Sequence, residues 1–360
     1  MINANLLDLV GNTPIVNLKP FDENDFSNGD CSADIYAKLE YYNPTGSIKD
    51  RPAAYIIRHL LLSGEINKNS TIIESSSGNF GIALAAICKS EGIRFICVID
   101  PNILSHNEFL LRQYGAEIVK VSERDDTGGY LKTRLQKIQE LKEHNPDFVW
   151  INQYANPRNA MAHYYGTGME IYKTFADQGL DYIFIAASSG GTIAGTSQIL
   201  KEQFPQIKVI AVDVEGSVIF SDEPKKRYIP GMGSSIRPEQ VKRAHIDQII
   251  HVKEKDIIDG CMELMHHHSL FVGGSSGAVY VAMKQFIRSK EFVSSYIKPN
   301  YPDNKGSKNT QSCHPKMLML FPDRGDRYTS TVYNEQWVKE HYVDNLTLES
   351  IIEENREIAL

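Results

Sequence analysis

The sequence predicts an α/β protein built as two doubly wound lobes. Short apolar runs alternate with helical patterns along most of the 360 residues, the order expected of parallel sheets covered by helices. That length suggests about two domains. The apolar runs number about ten, more than one open sheet holds comfortably. Finally, turns rich in Gly and Ser recur where an apolar run gives way to a helical pattern.

The elements follow in order. "IYAKLEYY" reads as a strand and "SIKDRPAAYIIRHLLLSG" as a helical segment ended by Gly64. "TIIESS" is a strand, "GNFGIALAAICKSEG" a helix stopped by Gly92, "RFICVID" a strand and "HNEFLLRQYG" a helix. "EIVKVS" precedes the helix "YLKTRLQKIQELKEH", and "VWINQY" precedes the helix "NAMAHYYGTGMEIYKTF". Then come "YIFIAAS", "GTIAGTSQILKEQF", "KVIAVDV", "IIHVKEKDIIDGCMELM", "GGSSGAVYVAMKQFI" and "KMLMLFP". The stretch from Ser289 to Lys316, rich in Pro, Asn, Ser and Lys, reads as a long surface loop. Residues after Tyr328 read as a charged helical tail.

Composition narrows the function classes. A net charge of -7 with interspersed signs favours neither nucleic acid nor an anionic membrane. No apolar run approaches the about 18 residues of a membrane span, and the first residues lack the charged and apolar regions of a signal peptide. The five cysteines are scattered and odd in number, against a disulfide framework. A cytoplasmic chain is the expectation. His266, His267 and His268 are adjacent on a helix, share no face, and read as a helix-end triplet, with no metal site expected.

Four turns carry the chemistry: "NPTGSIK", "SSSGNFG" (Ser75 to Gly81), "SSGGTIAG" (Ser188 to Gly195) and "GGSSGA" (Gly273 to Ala278). In an open α/β sheet, ligands bind where strand ends meet helix N-termini, whose free N–H groups favour anions. One such turn is an ordinary helix cap; four at comparable junctions suggest a shared anionic ligand. Neither the dinucleotide fingerprint nor a P-loop is present. Lys49, in "YYNPTGSIKDRPA", is the one amine beside these turns. A cation is badly placed at a helix N-terminus, and dipole and desolvation lower its pKa. A lysine of that kind near phosphate-cradling turns, without a nucleotide motif, suggests a Schiff base with pyridoxal phosphate.

In order along the chain, "GNTPIVNL", "NPTGSIKDR", "SSSGNFGIALA", "SSGGTIAG" and "GGSSGA" resemble the fold type II pyridoxal-phosphate enzymes of the cysteine synthase and cystathionine β-synthase family, whose fold is that of tryptophan synthase β. The resemblance implies that Lys49 carries the cofactor and acts as base at Cα. It implies that Asn79 bonds the ring hydroxyl, that Ser188, Ser189, Gly190, Gly191 and Thr192 hold the phosphate, and that Ser275 faces the pyridine nitrogen. Ser76, Ser77, Gly78, Asn79 and Gln153 would hold the substrate. It also implies a small mobile domain over 42–155, a larger cofactor-anchoring domain from 1–41 and 156–330, a helical tail over 331–360, and a homodimer.

"GGYLKTR", "WINQYAN", "GSVIF" and "FPDRGDRY" resemble more narrowly the N-(2-amino-2-carboxyethyl)-L-glutamate synthases of siderophore pathways. That likeness implies O-phospho-L-serine and L-glutamate as substrates and a product on the way to L-2,3-diaminopropionate. Arg134 would pair with the phosphate of the donor, and Tyr154 would bound the amino-acid pocket. The alternative is a cysteine synthase using O-acetylserine or O-phosphoserine. The long loop at 289–316 departs from the family pattern, and no role is assigned to it.

Overall fold

The computed structural model of the protein describes residues 5–18, 33–126, 128–292 and 315–342. Its first strands, β1 (Ile15–Asn17) and β2 (Asp34–Leu39), precede helix α1 (Asp50–Leu62). Then follow β3 (Thr71–Ser75), α2 (Asn79–Glu91), β4 (Arg94–Ile99), α3 (Ser105–Gln113), β5 (Glu117–Lys120), α4 (Leu131–His144) and β6 (Val149–Trp150). Helices α5 (Pro157–Ala162) and α6 (Met169–Phe175) lead to β7 (Tyr182–Ala186), α7 (Gly191–Gln203), β8 (Lys208–Val214) and β9 (Gln248–Val252). The described chain closes with α8 (Glu254–His268), α9 (Gly274–Ile287), β10 (Lys316–Phe321) and α10 (Glu335–Tyr342).

The strands form two sheets. One has six strands in the order β1-β2-β10-β7-β8-β9, the other four in the order β5-β4-β3-β6. All neighbours run parallel except β1, which pairs antiparallel with β2. Both faces of each sheet are covered, and the period-two alternation of side chains builds a separate core on each face. In the six-stranded sheet Phe184, Ile210, Val212, Met317 and Met319 pack under α8 and α9. Ile183, Ile185, Val209, Ala211, Leu318 and Leu320 face α6 and α7. In the smaller sheet Ile72, Phe95 and Cys97 meet α1, α2 and α3, while Ile73, Ile96 and Val98 meet Ile138 of α4.

Three sequence expectations change in detail. The strand expected over "VWINQY" stops at Trp150, because Asn152 takes a left-handed φ of 54° and turns Gln153 and Tyr154 out of the sheet. The helix expected over 159–175 is divided by a π-helical turn, His163–Gly168, in which buried His163 Nδ1 lies 2.9 Å from Thr167 Oγ1. β1 was not anticipated; at three residues it is too short to show a period. The histidine triplet occupies the last turn of α8. Most of the 289–316 loop and of the carboxy-terminal tail lies outside the described residues. No described helix is long and apolar enough to cross a membrane.

The strand orders locate the functional region. In the six-stranded sheet the chain runs from β7 outward to β8 and β9, while β10 returns to the other side of β7. In the four-stranded sheet it runs from β3 outward to β4 and β5, while β6 returns beside β3. Each reversal leaves a crevice at the carboxyl ends of two neighbouring strands, where α/β sheets bind ligands.

Candidate active site

The crevice between β7 and β10 is a pocket whose lining includes Lys49, Asn79, Ser188, Ser189, Gly190, Thr192, Ser275 and Asp323. Seven of these eight were singled out from sequence. Gly191, also expected there, is the first residue of α7. Gly190 has φ +84°, and a Cβ on it would lie 2.6 Å from Val241 Cγ2. A Cβ on Gly191 would lie 2.2 Å from Asn159 Oδ1. The turn therefore approaches its surroundings as closely as bare backbone allows, and presents the N-terminus of a 13-residue helix to the pocket.

Beneath this turn lies His163, fully buried, with Nε2 3.3 Å from Thr192 Oγ1. Burial holds its imidazole well below the usual value, and the nearby Lys49 and Arg51 cations push the same way. His163 is thus neutral and orients the threonine hydroxyl. Sequence reasoning missed it, because a histidine inside a helical pattern carries no signal of its own.

Lys49 sits at the N-terminal boundary of α1. Burial lowers its ammonium from 10.5 to about 8, opposed in part by the carboxylate of Asp323. That brings a sizeable neutral fraction near neutral pH, as nucleophilic and basic lysines require.

Asp323 follows β10 and is 1% exposed. Its Oδ2 accepts from Asn79 Nδ2 at 2.7 Å and from the Tyr328 hydroxyl at 2.7 Å. Arg327 donates to Asn79 Oδ1 and to the Thr45 carbonyl. The side-chain amide of Asn79 is therefore fixed at both ends, with one N–H left over. Burial raises the Asp323 carboxyl above its ordinary value, against the pull of Arg327 and its hydrogen bonds to Tyr328 and Asn79. "FPDRGDRY" held both residues in view; four charges beside an apolar strand were the available signal.

Ser275 is buried in the first turn of α9. Gly273 to Gly277 also spells the hydrolase pattern Gly-x-Ser-x-Gly, but that pattern needs its serine exposed at a strand-to-helix turn, and Ser275 is 4% exposed.

The second crevice, between β3 and β6, brings residues 76–78 beside Gln153. Ser76 Oγ accepts from the N–H groups of Gly78 at 3.4 Å and Gly81 at 3.0 Å, curling the loop onto α2. Gln153 Nε2 donates to the Ser75 carbonyl at 3.5 Å. Between them lies Glu74, wholly buried, accepting from Ser75 N (2.7 Å), Trp150 Nε1 (3.2 Å) and Gln153 N (3.2 Å). Burial pushes its carboxyl up to about 7 despite these donors. A charge inside the strand "TIIESS" was its signal in the sequence.

Arg134 reaches this crevice from α4. Its side chain is 13% exposed; Nη1 donates to Ser77 Oγ at 3.0 Å and Nε lies 3.3 Å from Asp100 Oδ2. It is therefore not a solvated helix arginine. Tyr154 is half-buried; burial raises its phenol, while Arg134 and Glu74 act on it with opposite signs.

The pocket suits pyridoxal phosphate by its donor set: a lysine with a depressed pKa, a hydroxyl- and glycine-lined helix N-terminus, and a fixed asparagine amide. The family described as pyridoxal-phosphate dependent enzyme matches residues 6–296. Among solved structures, an O-acetylserine dependent cystathionine beta-synthase from Helicobacter pylori is similar, with 30% identity and a TM-score of 0.78 over 93% of this chain and 100% of that one. An O-ureido-L-serine synthase shares 25% identity with a TM-score of 0.78 over 96% of this chain and 98% of its own. A hydrogen sulfide-producing enzyme from Fusobacterium nucleatum shares 30% identity with a TM-score of 0.76 over 91% and 100%. The chain belongs to the pyridoxal-phosphate dependent enzymes, as a β-replacement and elimination enzyme of the cysteine synthase and cystathionine β-synthase type.

Proposed function

We propose that the protein joins O-phospho-L-serine to L-glutamate, giving N-(2-amino-2-carboxyethyl)-L-glutamate and phosphate, a step toward L-2,3-diaminopropionate in siderophore biosynthesis. The observation that carries this reading is the position of Arg134: a guanidinium beside Ser77, in the loop expected to grip the substrate, supplies a charge that a phosphate dianion can use. Bound in the pocket, pyridoxal phosphate would act as an electron sink for charge developing at the substrate Cα. Lys49, Asn79, Ser188, Ser189, Gly190, Gly191, Thr192 and Ser275 would hold it.

The chain's own residues then divide the work. Residues 76–79 and Gln153 bind the α-carboxylate, while Tyr154 bounds the pocket. Lys49 Nζ takes the Cα proton and returns one to Cα after the new bond at Cβ has formed. Arg134 holds the phosphate as it leaves, and the glutamate amine adds in its place. Closure of the small domain, 42–155, over the larger one excludes water during these steps. In this reading the working form is a cytoplasmic homodimer.

Arg134→Ala tests the donor assignment. Loss of a charge-assisted contact predicts that kcat/KM with O-phosphoserine falls by about 10- to 100-fold, and by much less with O-acetylserine. Equal losses remove Arg134 from phosphate binding. A second reading is favoured by two of the similar structures, an O-acetylserine dependent cystathionine beta-synthase and a hydrogen sulfide-producing enzyme, each 30% identical to this chain: a cysteine synthase, with a sulfur acceptor and O-acetylserine or O-phosphoserine as donor.

A further inference from the structure

Asp100, directly after β4, carries a carboxylate into the crevice at the end of the four-stranded sheet while only 6% exposed. Its Oδ2 accepts from Ser77 Oγ at 2.9 Å and lies 3.3 Å from Arg134 Nε. Its Oδ1 accepts the Asn102 N–H at 2.8 Å. Arg134 Nη1 donates in turn to Ser77 Oγ at 3.0 Å. The Ser77 carbonyl is held by Asn107 Nδ2 at 3.2 Å. Carboxylate, hydroxyl and guanidinium thus close a ring on the substrate loop.

The ring has a chemical consequence. A serine hydroxyl has one proton. Here that proton goes to Asp100, so Ser77 Oγ turns a lone pair toward Arg134. In this arrangement the Ser77 hydroxyl relays between the two charges, and Ser77 would serve the substrate carboxylate through its backbone N–H. Arg134 is held by the Nη1 hydrogen bond, with Nε buried in ion-pair range of Asp100 but making no hydrogen bond, and its Nη2 edge is left for an incoming anion. An unheld arginine would spread over many rotamers and lose that freedom on binding, at an entropic cost.

We infer that Asp100 is a positioning residue for the phosphate of the donor: it fixes Arg134 on the substrate loop and so raises selectivity for O-phosphoserine. This rests on the donor assignment above. Simple electrostatics predicts the opposite sign, because a bare carboxylate near an anion site repels the anion and its removal tightens binding.

The test compares holoenzymes of wild type, Asp100→Asn, Arg134→Ala and the double variant, with KM and kcat measured for O-phosphoserine and for O-acetylserine. The expected result in Asp100→Asn is a KM ratio, phosphoserine over acetylserine, raised about tenfold. The double variant should show no higher ratio than Arg134→Ala alone, since Asp100 acts through that arginine. A ratio that is unchanged or falls in Asp100→Asn, or that multiplies in the double variant, overturns the inference. Should Asp100→Asn fail to fold, Ser77→Ala enters the same cycle under the same criteria. Wild-type enzyme that turns over O-acetylserine but not O-phosphoserine contradicts the donor assignment and this inference together. A wild-type preference for O-phosphoserine that Asp100→Asn leaves intact contradicts the role of Asp100 alone.

Discussion

Lys49→Ala is expected to lose the covalent link to the cofactor and to lower kcat by about 10^4-fold, the upper range for a general base. The variant should still bind pyridoxal phosphate, because the turn around Gly190, the fixed Asn79 and Ser275 remain. Borohydride reduction of wild type followed by peptide mass analysis should place a pyridoxyl phosphate adduct on the peptide holding Lys49. The variant should yield none. A reducible adduct that persists in Lys49→Ala would move the role to another amine. The physical basis is local: burial depresses the Lys49 amine to about 8, so the neutral form is available near neutral pH without a separate base.

Arg51→Ala is the second large effect, and it acts on stability. Arg51 donates to Glu40 through Nε (2.5 Å) and Nη2 (2.8 Å), and to Glu170 through Nη1 (2.7 Å) and Nη2 (2.7 Å). Lys38 Nζ joins from 2.8 Å to Glu170 and 3.0 Å to the Thr13 carbonyl. Two carboxylates and two cations balance in a site where Glu40 is 0% exposed. Burial would raise the Glu170 carboxyl, but Arg51 and Lys38 outweigh it and hold it at about 2. Removing one cation leaves a buried negative charge, which destabilises by about 3–5 kcal/mol. The contrasting variant is Arg58→Ala, whose arginine is 49% exposed in its pair with Asp8 and contributes about 0–1 kcal/mol. Urea unfolding of both variants separates the two cases; equal midpoints would mean that the buried carboxylates do not depend on Arg51 for compensation. Glu170 adds a pH dependence. Its folded value lies below its unfolded one, so its contribution is complete above the unfolded value and is lost as pH falls toward about 2.

This network also shows how local order reaches the chemistry. It ties the "GNTP" segment, β2, the start of α1 and α6 together, through Thr13, Glu40, Arg51 and Glu170. Lys49 stands two residues before Arg51. The lysine is therefore anchored through its neighbour, while its own side chain faces the pocket.

The architecture was legible because periodicity carries it. Alternating apolar strands in a doubly wound fold must cover two faces, and Ile183 and Phe184 do so residue by residue. The small-residue turn before α7 was legible because glycine at Gly190 and Gly191 answers to steric demands that no other residue meets. Other features were not legible, for physical reasons. Asn152 ends β6 early through a backbone conformation that its side chain tolerates but does not announce. His163 and Glu74 act on neighbours brought near only by the return of β6 and the packing of α7. The Asn79 clasp joins residues about 250 positions apart, a distance in sequence that folding closes and periodicity does not see. Arg134 alone could be read as a helix arginine; Ser77 and Asp100, on two other connections, give it its place.

The most direct measurement is mass analysis of the products formed by purified holoenzyme from O-phospho-L-serine with L-glutamate, beside parallel reactions with sulfide and with O-acetylserine. The expected products are stoichiometric phosphate and N-(2-amino-2-carboxyethyl)-L-glutamate, formed fastest from O-phosphoserine. Rapid formation of cysteine with no glutamate adduct would contradict it.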